Sequence, residues 1–161
     1  MVDINKEILK HLDAAISLEE ESKSMYSNFF SRATNQYSKD VFSRMVVEEG
    51  KHLDFVKKLR MNFASGLAIS HEEVEALEAL KPGNITAIRN KTKEEAAQNY
   101  LSALVTVVEF EERAYTFYRE LESTTEKVRL RNIFEILAGF EKEHYDRFKQ
   151  ELESVKNNPY L

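Results

Sequence analysis

The chain contains no cysteine in its 161 residues. Disulfides, thiolate nucleophiles, iron–sulfur clusters and four-cysteine metal sites are therefore excluded within it. Glycine and proline are scarce, at four and two residues, which favours long helices over a many-stranded β architecture. Long apolar runs are also missing. The longest, 101–108, is interrupted by Ser102 and Thr106 and falls far short of a membrane span. The N-terminal Met1-Val-Asp-Ile-Asn-Lys6 has no apolar core of a secretion signal. A net charge of −5 with both signs interspersed argues against a nucleic-acid surface. What is present in quantity is core material: ten Phe, seven Tyr and 42% hydrophobic residues. These properties predict one acidic, cytoplasmic, all-α domain over 1–161, without nucleic-acid or membrane partners.

Apolar positions recur in steps of three and four along four long segments. Helix 1, over about 3–33 with Asp3 as N-cap, shows Ile8, Leu12, Ala15, Glu19, Ser22, Tyr26 and Phe29 on one stripe. Helix 2 is expected to start after Ser38 and end near Gly66, with Phe42, Met45, Glu49, His52, Val56 and Leu59 on its stripe. Helix 3 opens at a Thr92-x-x-Glu95 capping box and carries Tyr100, Leu104, Val107, Glu111, Ala114, Tyr118 and Leu121. Helix 4 is expected to follow a Ser123-x-x-Glu126 box and carries Phe134, Leu137, Glu141, His144, Phe148 and Leu152. Between them, Ser70-x-x-Glu73 reads as the cap of a short helix that ends before Pro82-Gly83. The two short connections imply antiparallel hairpins over about 3–65 and 92–157, joined by a crossover over about 66–91. The expected architecture is a four-helix bundle made of two repeated helical hairpins.

One offset relates the polar residues on these stripes. Glu49-x-x-His52 recurs as Glu141-x-x-His144 at a shift of 92 (141 − 49 and 144 − 52), and the same shift carries Glu19 onto Glu111 and Tyr26 onto Tyr118. A single Glu-x-x-His spacing is weak evidence in a chain with 28 acidic residues. The weight comes from placement, because all four Glu interrupt apolar stripes. A buried carboxylate costs several kcal/mol unless it is paired or metal-bound, and no Lys or Arg shares the stripes. Two divalent cations balance four carboxylates and leave the imidazoles neutral. Positions i and i+3 share a helix face, so each Glu-x-x-His pair can serve one metal. Glu19 precedes Glu49, and Glu111 precedes Glu141, by 30 residues, which brings each pair to similar height in an antiparallel hairpin. Tyr26 and Tyr118, two turns further on, are expected to hydrogen-bond a ligand carboxylate from the other half.

The segments Ala15-Ile-Ser-Leu-Glu19 to Tyr26 with Glu49-Gly-Lys-His52, and Val107-Val-Glu-Phe-Glu111 to Tyr118 with Glu141-Lys-Glu-His144, resemble the two halves of a rubrerythrin-type, ferritin-like di-iron domain. The resemblance implies a centre of two iron ions in which Glu49 and Glu141 bridge, Glu19 and Glu111 are terminal, and His52 and His144 bind one ion each. Three departures accompany it. Ala114 stands where rubrerythrins carry a further Glu, Gly50 stands where bacterioferritins carry a haem-ligating Met, and the chain holds no four-cysteine rubredoxin segment.

The function so implied is a di-iron oxidoreductase that reduces hydrogen peroxide or dioxygen, with electrons from a separate donor such as a rubredoxin. Manganese or a mixed metal pair suits the same oxygen and nitrogen donors. A ferroxidase or iron-storage protein is the alternative, and an oxygenase acting on an organic substrate is a third reading. A homodimer is the expected assembly. The remaining candidates read as solvated: His11 at the boundary of helix 1, His71 at a helix start, Asp54 and Asp146 turned away from the His faces, and Glu20 and Glu112 as polar flanks.

Overall fold

The computed structural model describes residues 4–81 and 94–157. Five helices are present among them and no strand: α1 (Ile4–Arg32), α2 (Gln36–Ala64), α3 (His71–Glu78), α4 (Glu94–Thr124) and α5 (Val128–Asn157). None is long and apolar enough to cross a membrane among the described residues. Asp3, Thr92 and Pro82-Gly83 lie outside the described residues.

The helix ends show where local chemistry overrides the expected boundaries. α2 begins three residues earlier than its apolar stripe suggests, because Asn35, in an extended conformation, accepts the Ser38 amide at 2.8 Å and acts as N-cap. At its other end Gly66 adopts φ +75°, so the Gly66 amide reaches Phe63 O at 3.1 Å and the Leu67 amide reaches Asn62 O at 3.0 Å. That pair of bonds closes the helix as a Schellman motif, which needs the left-handed conformation glycine adopts without strain. α3 is capped as expected. The Ser70 hydroxyl accepts the Glu73 amide at 3.2 Å, and Glu73 Oε2 accepts the Ser70 amide at 2.9 Å.

The expected Ser123-x-x-Glu126 box does not form. Ser123 and Thr124 belong to the last turn of α4, and both hydroxyls donate to Glu120 O at 2.9 Å. Thr125 donates back to Leu121 O at 2.6 Å. These hydroxyls bond back to carbonyls in the last turns of α4, in place of capping the helix that follows.

The core has two apolar clusters. One gathers Leu12, Val56, Leu59, Leu77, Leu121, Leu130, Phe134 and Leu137, and α3 seals that end through Val74 and Leu77. The other gathers Val41, Phe42, Met45, Tyr100, Leu104, Phe148, Leu152 and Val155. On every long helix the stripe Glu and His residues separate the positions that enter one cluster from those that enter the other. α1 and α5 run from the first cluster to the second, while α2 and α4 run in reverse. α2 therefore ends, and α4 begins, at opposite ends of the bundle. α1 packs mainly on α2, and α4 on α5.

Candidate metal centre

A polar layer lies between the two apolar clusters. Glu19 from α1, Glu49 and His52 from α2, Glu111 from α4, and Glu141 and His144 from α5 are all at most 2% exposed. All six residues expected from the sequence are brought together. His52 Nδ1 lies 3.9 Å from Glu19 Oε2 and 3.8 Å from both Glu49 Oε2 and Glu141 Oε1. His144 Nδ1 lies 3.1 Å from Glu49 Oε1, 3.4 Å from Glu141 Oε2 and 3.7 Å from Glu111 Oε2. The two imidazoles are near parallel, 5.8 Å between centroids.

Within this layer two sets of donor atoms converge. Glu19, Glu49, His52 and Glu141 offer one set within 4.8 Å of one another, and Glu49, Glu111, Glu141 and His144 offer the other. Glu49 and Glu141 belong to both.

The hydrogen bonding points inward. Glu19 Oε2, both oxygens of Glu49, Glu111 Oε2, Glu141 Oε2, His52 Nδ1 and His144 Nδ1 are buried without a hydrogen-bond partner among the described residues. Each such group costs about 1–3 kcal/mol if left so, and more when charged. No Lys or Arg is buried among the described residues to compensate. Divalent cations would satisfy the donors and the charge together, and carboxylate oxygen with imidazole nitrogen suits iron or manganese. The residues present fit such a group.

The tyrosines hold the outer oxygens. Tyr26 donates to Glu111 Oε1, and Tyr118 donates to Glu19 Oε1, each across to the other half of the chain. Burial and then the neighbouring carboxylates push both phenols well above their ordinary range, so they remain protonated donors. Burial, followed by the charge of Glu49, pushes the Glu19 and Glu141 carboxyls up. For Glu49 burial is outweighed by attraction to the two imidazoles, and its carboxyl falls below the usual range. For His144 the surrounding carboxylates overcome burial and push the imidazole up. Without metal, the layer shares protons among carboxylates that cannot all ionise together.

Sequence reasoning missed Glu48. Its side chain is 14% exposed, and its Oε2 lies 3.2 Å from His144 Nε2. Arg147 Nη1 approaches the same oxygen at 3.9 Å. At the position related by the 92-residue shift stands Phe140, whose ring stacks on His52 at 5.0 Å. The available signal was this mismatch, Glu48-Glu49 against Phe140-Glu141, in an otherwise matching repeat.

Other candidates stay outside the centre. Asp54, Asp146, Glu20 and Glu112 are exposed. Glu20 pairs with Lys57 at 2.7 Å, Lys142 pairs with Asp146, and exposed His71 sits 3.4 Å from Glu75. His11 is half-buried near the start of α1, two turns from Glu19. Ala114, one turn beyond Glu111, is buried and offers no donor.

A helical bundle with a buried layer of four carboxylates and two imidazoles, able to hold metal, defines a metal-binding carboxylate protein. The family model described as Rubrerythrin matches residues 10–152, a span that includes the whole layer and both tyrosines. The chain belongs to the rubrerythrin family. No match to it is found among curated proteins or among solved structures. Membership supports a di-iron carboxylate protein and oxidoreductase activity in general.

Proposed function

We propose that this chain is a di-iron oxidoreductase that reduces hydrogen peroxide, or dioxygen, with electrons from a separate donor protein. Glu49 and Glu141 would be shared by the two ions, Glu19 and Glu111 would each serve one ion, and His52 and His144 would each hold one ion. The observation that carries this reading is that the two converging donor sets share Glu49 and Glu141 and nothing else. In the same reading the chain is one domain built from two copies of a helical hairpin and works as a homodimer. A manganese or mixed pair would fit the same donors.

Held by these six residues, a metal pair would supply the two electrons, one per ion, needed to reduce the oxidant. For peroxide the balance is H2O2 + 2 e− + 2 H+ → 2 H2O. The chain's own residues prepare the site for this. Tyr26 and Tyr118 fix the outer oxygens of Glu111 and Glu19, so that the remaining oxygens face the centre. Apolar side chains from both clusters close the layer above and below and keep water from it. In this reading the electrons enter from a donor such as a rubredoxin.

The test is stopped-flow reoxidation of iron-loaded, anaerobically reduced protein, with peroxide and dioxygen mixed separately. The expected result is two irons per chain and much faster reaction with peroxide. A wild-type rate no greater than that of Glu141→Ala would overturn the proposal. Preference for dioxygen, with uptake beyond two irons per chain, would move the reading to a ferroxidase.

A further inference from the structure

The two halves of the centre differ behind their histidines. At His144 the Nδ1 atom faces the carboxylate layer, and Nε2 on the far side of the ring lies 3.2 Å from Glu48 Oε2. With Nδ1 offered as the ligand atom the ring proton sits on Nε2, so Nε2–H donates to the Glu48 carboxylate. At His52 the Nδ1 atom again faces the layer, but Nε2 is buried without a hydrogen-bond partner among the described residues. Phe140 stacks over this ring at 5.0 Å with only 15° between planes. One imidazole is thus oriented by a carboxylate and the other by an aromatic face.

We propose that Glu48 is a positioning residue that makes the two metal positions unequal, so that the position served by His144 fills first and holds a divalent ion more tightly than the position served by His52. The inference rests on the reading that the six buried residues hold a metal pair. A carboxylate behind a ligating imidazole fixes its tautomer, holds the ring in its plane of attack and increases donation from the opposite nitrogen. Loss of such a partner typically weakens metal binding by about 10–100-fold. Phe140 can fix the His52 ring by packing but cannot accept its proton. Arg147, 3.9 Å from the same Glu48 oxygen, bounds the carboxylate on its outer side. Glu49 and Glu141 serve both positions, and the phenols treat Glu19 and Glu111 alike. The difference between the positions therefore resides in the groups behind the imidazoles.

The experiment is an anaerobic titration of metal-free protein with Co(II), followed by visible absorption and by EPR, which separates a lone Co(II) from a magnetically coupled pair. The wild type should bind two equivalents in two steps, with a lone-ion EPR signal building to one equivalent and collapsing as the second enters. Glu48→Gln should weaken the first step by about 10–100-fold and leave the second nearly unchanged, so that the two merge. Phe140→Glu should tighten the weaker step. His52→Ala should keep the tight step and His144→Ala should lose it, a comparison that decides the matter even if Glu48→Gln folds poorly. Two indistinguishable steps in the wild type, or equal loss from both steps in Glu48→Gln, would overturn the inference while leaving the metal pair in place. Failure of the wild type to bind Co(II) at all would instead remove the two-metal reading on which it rests.

Discussion

Tyr118 donates its phenolic hydrogen to Glu19 across the bundle, joining residues 99 positions apart, and Tyr26 does the same for Glu111. Each tyrosine lies at the margin of an apolar cluster, Tyr118 in one and Tyr26 in the other, with its hydroxyl turned into the polar layer. A phenol is suited to this position because its ring packs as core while its tip satisfies a carboxylate oxygen that has no other partner.

Tyr118→Phe should therefore cost about 1–2 kcal/mol of stability by leaving Glu19 Oε1 unpaired in the core. It should also weaken metal binding by about 10-fold, chiefly at the position served by His52, because Glu19 loses the group that orients it. Tyr26→Phe should do the same at the position served by His144. Thermal unfolding together with metal titration checks both effects. A stability loss with unchanged metal affinity would reduce the tyrosine to a packing role.

The metal-free protein should lose stability as pH rises. Glu19 and Glu141 have carboxyls raised above 4.5 by burial and then by Glu49, so the folded state holds protons that the unfolded chain releases from that pH upward. His144 is raised above 6.5 by its carboxylate neighbours, which prevail over burial, and its contribution is complete below 6.5 and lost as pH passes through its folded value. Glu49 acts oppositely, since its lowered carboxyl stabilises above 4.5 and loses that effect only in stronger acid. The metal-free protein should thus melt lower at about pH 8 than at about pH 5.5. Metal binding needs the deprotonated ligands, so the gain on metal addition should widen over the same interval. Scanning calorimetry with and without a chelator, at several pH values, checks both slopes.

Glu141→Leu should separate stability from function. Removing one of four crowded carboxylates relieves repulsion and desolvation, so the metal-free variant should be more stable than the metal-free wild type by about 1–3 kcal/mol near neutral pH. The same variant should gain little stability on metal addition, because Glu141 belongs to both donor sets. A metal-free variant less stable than wild type would mean that packing around Glu141 outweighs its charge.

Gly66→Ala isolates a backbone effect far from the centre. A Cβ at Gly66 meets nothing within 4 Å, so its cost comes from the positive φ alone. The expected loss is about 1 kcal/mol with no change in metal stoichiometry. Chemical denaturation and metal analysis of the variant together check it.

Much of this centre was readable from spacing alone. Glu19, Glu49, His52, Glu111, Glu141 and His144 interrupt apolar stripes and follow one shift of 92, and the structure gathers all six into one buried layer. Helix ends were read less well. Asn35 caps α2 where Ser38 was expected to precede it, and Ser123 closes α4 where it was expected to open α5. Polar residues near a turn can bond to the helix before or after them, and spacing does not distinguish the two. Glu48 escaped because it lies one residue, about 100° of helix rotation, from the stripe, in a position that reads as solvated.

Spacing along the chain is enough to say which residues face inward, because helical period and burial cost leave a stripe Glu few other environments. It also determined how many there are and that they come in two matched sets. Which groups meet across helices is a matter of packing: Tyr118 with Glu19, Tyr26 with Glu111, and Glu48 behind His144 while Phe140 covers His52. Those contacts depend on how far each helix is rotated and shifted against its neighbours. That choice belongs to the packing of the two apolar clusters as a whole, and no single helix encodes it.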